Sequence, residues 1–225
     1  MKGLLTALFS IIFLNVQQAL PMLTNAVAQE PLIVTAVKRN QLSIVEAELN
    51  KGINVNTTNH QRASLLLLAT KADQLEMVKL LLRYKADVNQ QDDHLDSPFL
   101  WAGANGQVRL IKLFLAHGAR FDVFNRYHGT ALIPACERGH LEVVKILSRT
   151  KGFPIDHVNR LGWTALMETV VLGNGSKKYI EIVQLLVDAG TNIHIPDKNG
   201  TTALEHARAN GYTGMVSILQ RVKQR

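Results

Sequence analysis

The chain repeats itself at a nearly constant interval. A short apolar segment, preceded by Ser, Thr or Pro, occurs six times. Its first residue falls at positions 32, 65, 98, 131, 165 and 203, so the successive spacings are 33, 33, 33, 34 and 38. A period of this length is typical of small units that cannot bury their apolar faces alone and must stack on their neighbours. The sequence therefore predicts a solenoid with a continuous core.

Each unit has the pattern of two short helices. The leading Ser or Thr can cap free backbone N–H groups of a first apolar helix of about eight residues. Gly106, Gly139 and Gly211 then break the chain, and a second helix carries apolar residues three and four positions apart. Four further glycines suit the left-handed conformation that ends a second helix: Gly52, Gly118, Gly152 and Gly190.

These units resemble ankyrin repeats, which have a period of about 33 residues and a T-P-L-H-x-A opening. Residues 97–102 (SPFLWA) and 130–135 (TALIPA) match the opening, and residues 139–144 (GHLEVV) match the start of the second helix. The resemblance implies an all-α ankyrin-repeat solenoid of stacked helix pairs joined by β-hairpin-like loops. About six repeats start near residues 31, 64, 97, 130, 164 and 202 of a domain spanning 29–225. The His of the opening is replaced in every repeat: Val34, Leu67, Leu100, Ile133, Met167 and Glu205.

Residues 1–28 have the composition of a secretory signal peptide. Lys2 is followed by an apolar run at 4–14, which is shorter than the roughly 20 residues that span a bilayer. Residues 26–28 (AVA) match a signal-peptidase site, so cleavage is expected after Ala28. We therefore expect a periplasmic or secreted protein without membrane insertion after cleavage; an uncleaved anchor or an N-terminal core helix are the alternatives.

Composition excludes several classes of protein. With 47% hydrophobic and 19% charged residues, the chain is too apolar for a disordered protein. Its only cysteine, Cys136, excludes an intramolecular disulfide and a cysteine-cluster metal site. The net charge of +7 is scattered and partly placed in the C-terminal tail, so it does not indicate nucleic-acid binding.

No motif indicates catalysis, and no metal or other cofactor is expected. The glycine-rich residues 173–178 (GNGSKK) have the wrong spacing for a phosphate-binding loop and are interpreted as a surface insertion. The eight histidines show no ligand spacing, and His140 falls at a structural position of the repeat. Cys136 has no evident partner base and is interpreted as a buried, inert thiol.

The resemblance implies a concave face of loop tips and first helices that binds protein partners. Aromatic residues and Arg are enriched at the energetic centres of interfaces, which favours the tips in the middle of the array. Asp92, Asp93 and Asp96 would add acidic charge on the preceding tip. The candidate partner-binding residues are Phe124, Arg126, Tyr127, Glu137, Arg138, Arg160, Leu161, Trp163, Asp93, His94 and Asp96. The alternative is that some of these side chains fold back on the neighbouring hairpin, Trp163 above all.

The sequence thus predicts a non-enzymatic protein-binding module, monomeric when unbound, that holds another exported protein. Two roles fit equally: an inhibitor or immunity protein, and a scaffold that supports a periplasmic enzyme. A host-directed secreted effector and a hydrolase with an unrecognised site are the alternatives from other classes.

Overall fold

The computed structural model describes residues 30–222, which contain helices and turns. The predicted signal peptide at 1–28 and the basic residues Lys223 and Arg225 lie outside the described residues. Within the described part the helices are α1 (Leu32–Lys38), α2 (Leu42–Asn50), α3 (Leu65–Lys71), α4 (Leu75–Arg83), α5 (Pro98–Ala104), α6 (Val108–Ala116), α7 (Leu132–Glu137), α8 (Leu141–Ser148), α9 (Ala165–Val171), α10 (Lys177–Asp188), α11 (Ala203–Ala209) and α12 (Thr213–Arg221).

The helices form six antiparallel pairs that stack side by side. The first helices of successive pairs (α1, α3, α5, α7, α9 and α11) contact one another in an unbroken row. The second helices pack beside them, α2 on α4, α6 on α8, α8 on α10 and α10 on α12. The apolar side chains between the two rows belong to one continuous core that extends from Ile33 to Leu219. The predicted all-helical solenoid is confirmed.

Hydroxyl caps begin most of the first helices, as the sequence predicts. Ser64, Ser97, Thr164 and Thr202 each accept a hydrogen bond from the backbone N–H three residues later. These bonds satisfy donors that have no partner inside the helix.

Thr130 is the exception among the predicted caps. Its Oγ1 is buried and has no hydrogen-bond partner among residues 30–222. In the other capped repeats the residue four positions on donates its N–H to the carbonyl of the cap, as Glu168 does to Thr164. The corresponding residue here is Pro134, which has no N–H. The first turn is therefore incomplete, and α7 begins one residue later, after Ala131.

Neighbouring repeats are also joined by polar side chains near the start of the second helices. Each reaches the end of the preceding first helix and binds a backbone carbonyl there. The four pairs are Gln107 with Thr70, His140 with Ala104, Tyr179 with Glu137 and Tyr212 with Gly173, at 2.9–3.2 Å. Burial lowers the pKa of His140, which disfavours its charged form. This contact confirms the predicted structural role of His140.

Candidate protein-binding surface

Five loops connect the helix pairs, and each has a tip built around one Asn or Asp. One side-chain oxygen of this residue accepts hydrogen bonds from the backbone N–H groups two and four positions on, at 2.8–3.1 Å. Its own N–H donates to the carbonyl of the residue four positions on. We call these loops tips 1 to 5, and their central residues are Asn59, Asp92, Asn125, Asn159 and Asp197.

The third residue after the central Asn or Asp has a positive φ in every tip. Gly162 and Gly200 adopt it without strain, whereas Arg62, Leu95 and His128 are side-chain-bearing residues at φ 58–59°. In each tip the hydrogen bonds to the Asn or Asp side chain and backbone hold the loop in this conformation. The backbone of each tip is therefore held in a defined conformation.

Adjacent tips are connected to each other. The backbone N–H of Arg160 in tip 4 donates to the carbonyl of Tyr127 in tip 3 at 2.9 Å. In the same way, the backbone N–H of Asp93 in tip 2 donates to the carbonyl of Gln61 in tip 1 at 3.1 Å. These contacts resemble those between paired strands. Within residues 30–222, however, the one β-bridge is formed by Thr58 and Ser64. The expected β-hairpin-like loops are thus turns with single cross-links.

Three tips are also anchored on the first helices through the other polar atom of the central residue. Asn159 donates from Nδ2 to Glu168 on α9 at 2.8 Å. Asp197 Oδ2 lies 2.8 Å from Nε2 of His206 on α11. Asp92 pairs with Lys71 on α3, also at 2.8 Å. The rows of tips and first helices therefore form one connected surface.

The carboxyl groups in these anchors have pKa values that are shifted in opposite directions. Burial, together with the nearby Glu137 carboxylate, raises the pKa of Glu168 to about 7. Burial also acts to raise the pKa of Asp92, but the Lys71 ammonium and backbone N–H donors outweigh it and hold that pKa below its usual value. The hydrogen bond with His206 lowers the pKa of Asp197.

The predicted residues of tip 3 divide into a packed part and an exposed part. Phe124 is half-buried and stacks on the rings of His128 and His157, with ring centroids 4.3 Å apart in both cases. Arg126 and Tyr127 are exposed, and the Arg126 guanidinium lies 5.6 Å from the centre of the Tyr127 ring. Tyr127 keeps 55% of its surface exposed, so it is available to a partner.

Tip 4 shows the same division. Trp163 is half-buried and packs against the core. Leu161 is 49% exposed. Arg160 is exposed and its Nη1 donates to the carbonyl of Arg126 at 3.1 Å. Tyr127 and Leu161 are therefore exposed apolar side chains on two connected tips.

The two predicted residues at the end of α7 have structural contacts. The backbone carbonyl of Glu137 accepts the Tyr179 hydroxyl at 2.9 Å, and the side chain is half-buried. The Arg138 guanidinium donates to the carbonyl of Ala104 at 2.8 Å, across the boundary between two repeats. Arg138 remains exposed.

The acidic residues of tip 2 contribute less charge than the sequence suggests. Asp93 and His94 are exposed, with Asp93 3.9 Å from Arg62. Asp96 is half-buried and lies 3.5 Å from Nζ of Lys71. The interpretation of Asp92 as a surface acid is wrong, since only 3% of the residue is exposed. It is buried because its carboxylate holds the tip together.

Three further residues of this surface were not identified from the sequence. His128 and His157 are far apart in the chain, yet Nδ1 of His128 is 3.2 Å from Nε2 of His157. Lys198 of tip 5 donates from Nζ to the carbonyl of Arg160 at 2.6 Å. Comparing the residue after each central Asn or Asp would have pointed to Lys198, because it occupies the position of Arg126 and Arg160.

Residues 30–222 contain neither an exposed thiol nor a cluster that could hold a metal ion. Cys136 is fully buried, and burial raises the pKa of its thiol to about 12. No group of three or more His, Cys, Asp or Glu within 30–222 is arranged to hold a metal ion. None of the helices in that range is long and apolar enough to cross a membrane.

The insertion at 173–178 is shorter than expected, because Lys177 and Lys178 already belong to α10.

An open cavity of about 1080 Å³ lies in the last two repeats. Its lining comes from the end of α10, the following loop and the end of α12, including Asp188, Thr191, His194 and Arg221. The cavity does not include any of the five central tip residues, and it is separate from the tip surface.

Comparison with known proteins identifies the repeats. A model of three ankyrin repeat copies matches residues 5–92 and 99–177, and a single ankyrin repeat model matches residues 161–198. The first of these ranges includes most of the predicted signal peptide. Ankyrin repeats generally mediate contacts between proteins and are generally not enzymes.

Two curated proteins resemble parts of the chain. The ankyrin repeat protein YahD of Escherichia coli (strain K12) is 43% identical over 94 residues, which are 42% of this chain and 47% of that protein. Protein phosphatase 1 regulatory subunit 27 of Mus musculus is 35% identical over 82 residues, which are 36% of this chain and 50% of that protein. The chain thus spans about half the length of these relatives.

A solved structure resembles most of the chain. The ankyrin repeat domain from Acinetobacter baumannii AYE superposes with a TM-score of 0.81 at 40% identity, covering 84% of this chain and 95% of that one. Its fold, the family models and the stacked helix pairs with their tips agree. The chain belongs to the ankyrin repeat family.

Proposed function

We propose that the protein is an exported, non-enzymatic binding module that holds another exported protein on its tip surface. The observation that carries the proposal is the pair of exposed apolar side chains on connected tips, Tyr127 at 55% and Leu161 at 49% exposure. Large apolar side chains surrounded by polar groups are typical of binding sites. The family supports a protein as the ligand.

The proposed role in the cell is either inhibition of a partner or support of one. In both cases the protein acts by stoichiometric binding and is a monomer when unbound. Adding the purified protein to its isolated partner distinguishes the two roles. An inhibitor abolishes the partner's activity at a one-to-one ratio, whereas a scaffold preserves that activity during heating or storage.

Capture from a periplasmic extract tests the binding surface. We expect the wild type to retain one partner and the double variant Tyr127→Ala/Leu161→Ala to lose it. The matched control is Leu42→Ala/Ile44→Ala, which removes two exposed apolar side chains from α2, at 37% and 36% exposure. Equal capture by the wild type and the tip variant would place binding elsewhere and contradict the proposal.

Export is a separate part of the proposal and has its own test. Mass spectrometry of protein from separated cell fractions should find a mature chain that begins at Gln29 in the periplasm or medium. An intact N-terminus in the cytoplasmic fraction would show that residues 1–28 are not a cleaved signal.

A further inference from the structure

One equivalent position on the five tips is occupied by a basic Arg or Lys residue in tips 3, 4 and 5. The residue after the central Asn or Asp is His60, Asp93, Arg126, Arg160 and Lys198 in tips 1 to 5. The last three are cations on consecutive tips, and all three are exposed. A full repeat separates each of them from the next in sequence, so the chain shows no basic run.

Direct contacts place these three cations beside one another. Arg160 binds Arg126 through Nη1 and the Arg126 carbonyl at 3.1 Å. Lys198 binds Arg160 in the same way, through Nζ and the Arg160 carbonyl at 2.6 Å. Each of these two side chains thus lies against the backbone of the preceding tip. We call Arg126, Arg160 and Lys198 the basic row.

The basic row has no acidic partner in the described part of the chain. The ion pairs there involve other cations, such as Arg62 with Asp93 in tips 1 and 2. The buried Glu168 behind tip 4 carries only part of a negative charge at neutral pH, because its pKa is about 7. None of the three cations is therefore paired with a carboxylate of residues 30–222.

Apolar side chains adjoin the cations. Tyr127 follows Arg126 and Leu161 follows Arg160, and both are about half exposed. A ligand that covers them removes water from the neighbouring cations, which strengthens charge interactions there. The row therefore combines charge selection with apolar contact.

The spacing of the row indicates the shape of the ligand. Packed helices lie about 8–10 Å apart, so neighbouring tips are separated by about that distance. A polyproline II segment rises about 3.1 Å per residue and brings every third side chain to the same side, about 9 Å apart. Carboxylates at every third residue of such a segment would match the three cations.

We propose that the basic row binds an extended acidic segment of the partner protein that has Asp or Glu at every third position. The inference rests on the proposed function, since it defines the chemistry of the partner at the same surface. The side chains between the carboxylates cover Tyr127 and Leu161. Charge complementarity of this kind selects among partners and speeds their encounter.

Synthetic peptides test this inference in solution. The probes are two fluorescein-labelled 12-residue peptides of identical composition, one with Glu at every third position and one with its Glu residues adjacent. A third peptide has Lys in place of each Glu of the spaced peptide. Fluorescence anisotropy should show the spaced acidic peptide binding at least fivefold more tightly than the grouped one, with no binding of the Lys peptide.

Charge reversal provides the matched comparison. The variant Arg126→Glu/Arg160→Glu/Lys198→Glu should lose the acidic peptide and bind the Lys peptide. The control Arg109→Glu/Lys112→Glu/Lys145→Glu changes net charge equally on exposed positions of α6 and α8, and it should bind as the wild type does. Circular dichroism of both variants checks that they fold.

Three results would overturn the inference. The first is equal affinity for spaced and grouped peptides, or no binding up to 1 mM peptide. The second is unchanged binding by the charge-reversed variant. The third is equally tight binding of heparin or duplex DNA through the same three residues, which would make the row a general polyanion site. Capture that depends on Tyr127 and Leu161 but not on the basic row would leave the proposed function intact.

Discussion

The central Asn or Asp of each tip shows how a single side chain determines the shape of a loop. One oxygen receives two backbone N–H groups, and a short stem is needed to reach both. Asn and Asp satisfy this requirement equally, so the charge of the residue is secondary. Asp92, Asn159 and Asp197 are consequently buried although they are polar, at 3%, 7% and 9% exposure.

The hydroxyl that precedes each first helix allows a prediction about the stability of the protein. Thr164→Val removes the hydrogen bond to the N–H of Met167 and should lower the free energy of unfolding by about 1 kcal/mol. Thr130→Val removes a buried hydroxyl without a partner in residues 30–222, and it should leave stability unchanged or raise it. Urea unfolding of both variants measures the difference, and equal losses would contradict the assignment.

Glu168 predicts a dependence of stability on pH. Its pKa of about 7 in the folded state lies above the ordinary value of 4.5, so the folded protein holds this proton longer than the unfolded chain does. The contribution to stability is complete below pH 4.5 and is lost as pH rises to about 7, by about 3 kcal/mol at most.

The variant Glu168→Gln isolates this effect, because Gln can still accept the hydrogen bond from Asn159. Its stability relative to the wild type should increase as pH rises from 4.5 to 8. Glu181→Gln, at an exposed position of α10, serves as the control and should show no such change. Parallel stability curves for Glu168→Gln and the wild type would argue against a raised pKa.

At the scale of helices, the stack depends on how closely first helices approach. A Cβ on Gly103 of α5 would lie 2.7 Å from the Cβ and 2.8 Å from the carbonyl oxygen of Ala131 in the next repeat. Ala131 leads directly into α7, so backbone would have to move. The small residue therefore permits the contact between α5 and α7.

Two glycine substitutions test this packing. Gly103→Ala should destabilise the protein by about 1–3 kcal/mol, although Ala is the better helix former. In Gly214→Ala on α12, the new Cβ meets the flexible end of Ile180, and stability should change by less than about 1 kcal/mol. Urea unfolding monitored by circular dichroism measures both, and equal effects would show that the approach at Gly103 is not limiting.

At the scale of the whole molecule, one apolar core runs through all described repeats, and Cys136 lies in its middle. Cys136 is 0% exposed, and its helix α7 contacts both α5 and α9. Labelling by iodoacetamide therefore requires that the central repeats open. We expect the native protein to react at least 100-fold more slowly than the protein in urea, even at pH 9.

The rate of labelling also measures the cooperativity of the array. Because α7 packs on both neighbours, the free energy obtained from labelling should equal that from urea unfolding. A clearly smaller value would show that the central repeats open locally while the rest of the stack remains folded.

Much of the helical array follows from local patterns. The regular period and the apolar residues three and four positions apart predict both helices of every pair, because helix periodicity is local. The caps at Ser64, Ser97, Thr164 and Thr202 follow from residue type at a fixed offset. The prediction that Thr130 caps a helix was wrong. Pro134, four residues later, has no N–H to donate to the Thr130 carbonyl, so the first turn is incomplete.

The binding surface was less predictable than the helices. Aromatic and basic residues at the tips suggested a site, but whether each faces solvent depends on residues one repeat away. Phe124 stacks on His157, whereas Tyr127 remains exposed. Asp92 was interpreted as a surface charge because the hydrogen bonds that bury it cannot be inferred from the residue types alone.

By itself the sequence determined the repeat, the helix pairs and the family, since all three are properties of residues close together in the chain. Only the tertiary structure decided which side chains of the tips are exposed and which cations lie side by side. Stacking brings positions a full repeat apart into contact, and it buries others beneath them. The repeat period therefore accounts for the helical scaffold, and the contacts between successive repeats account for the surface of the tips.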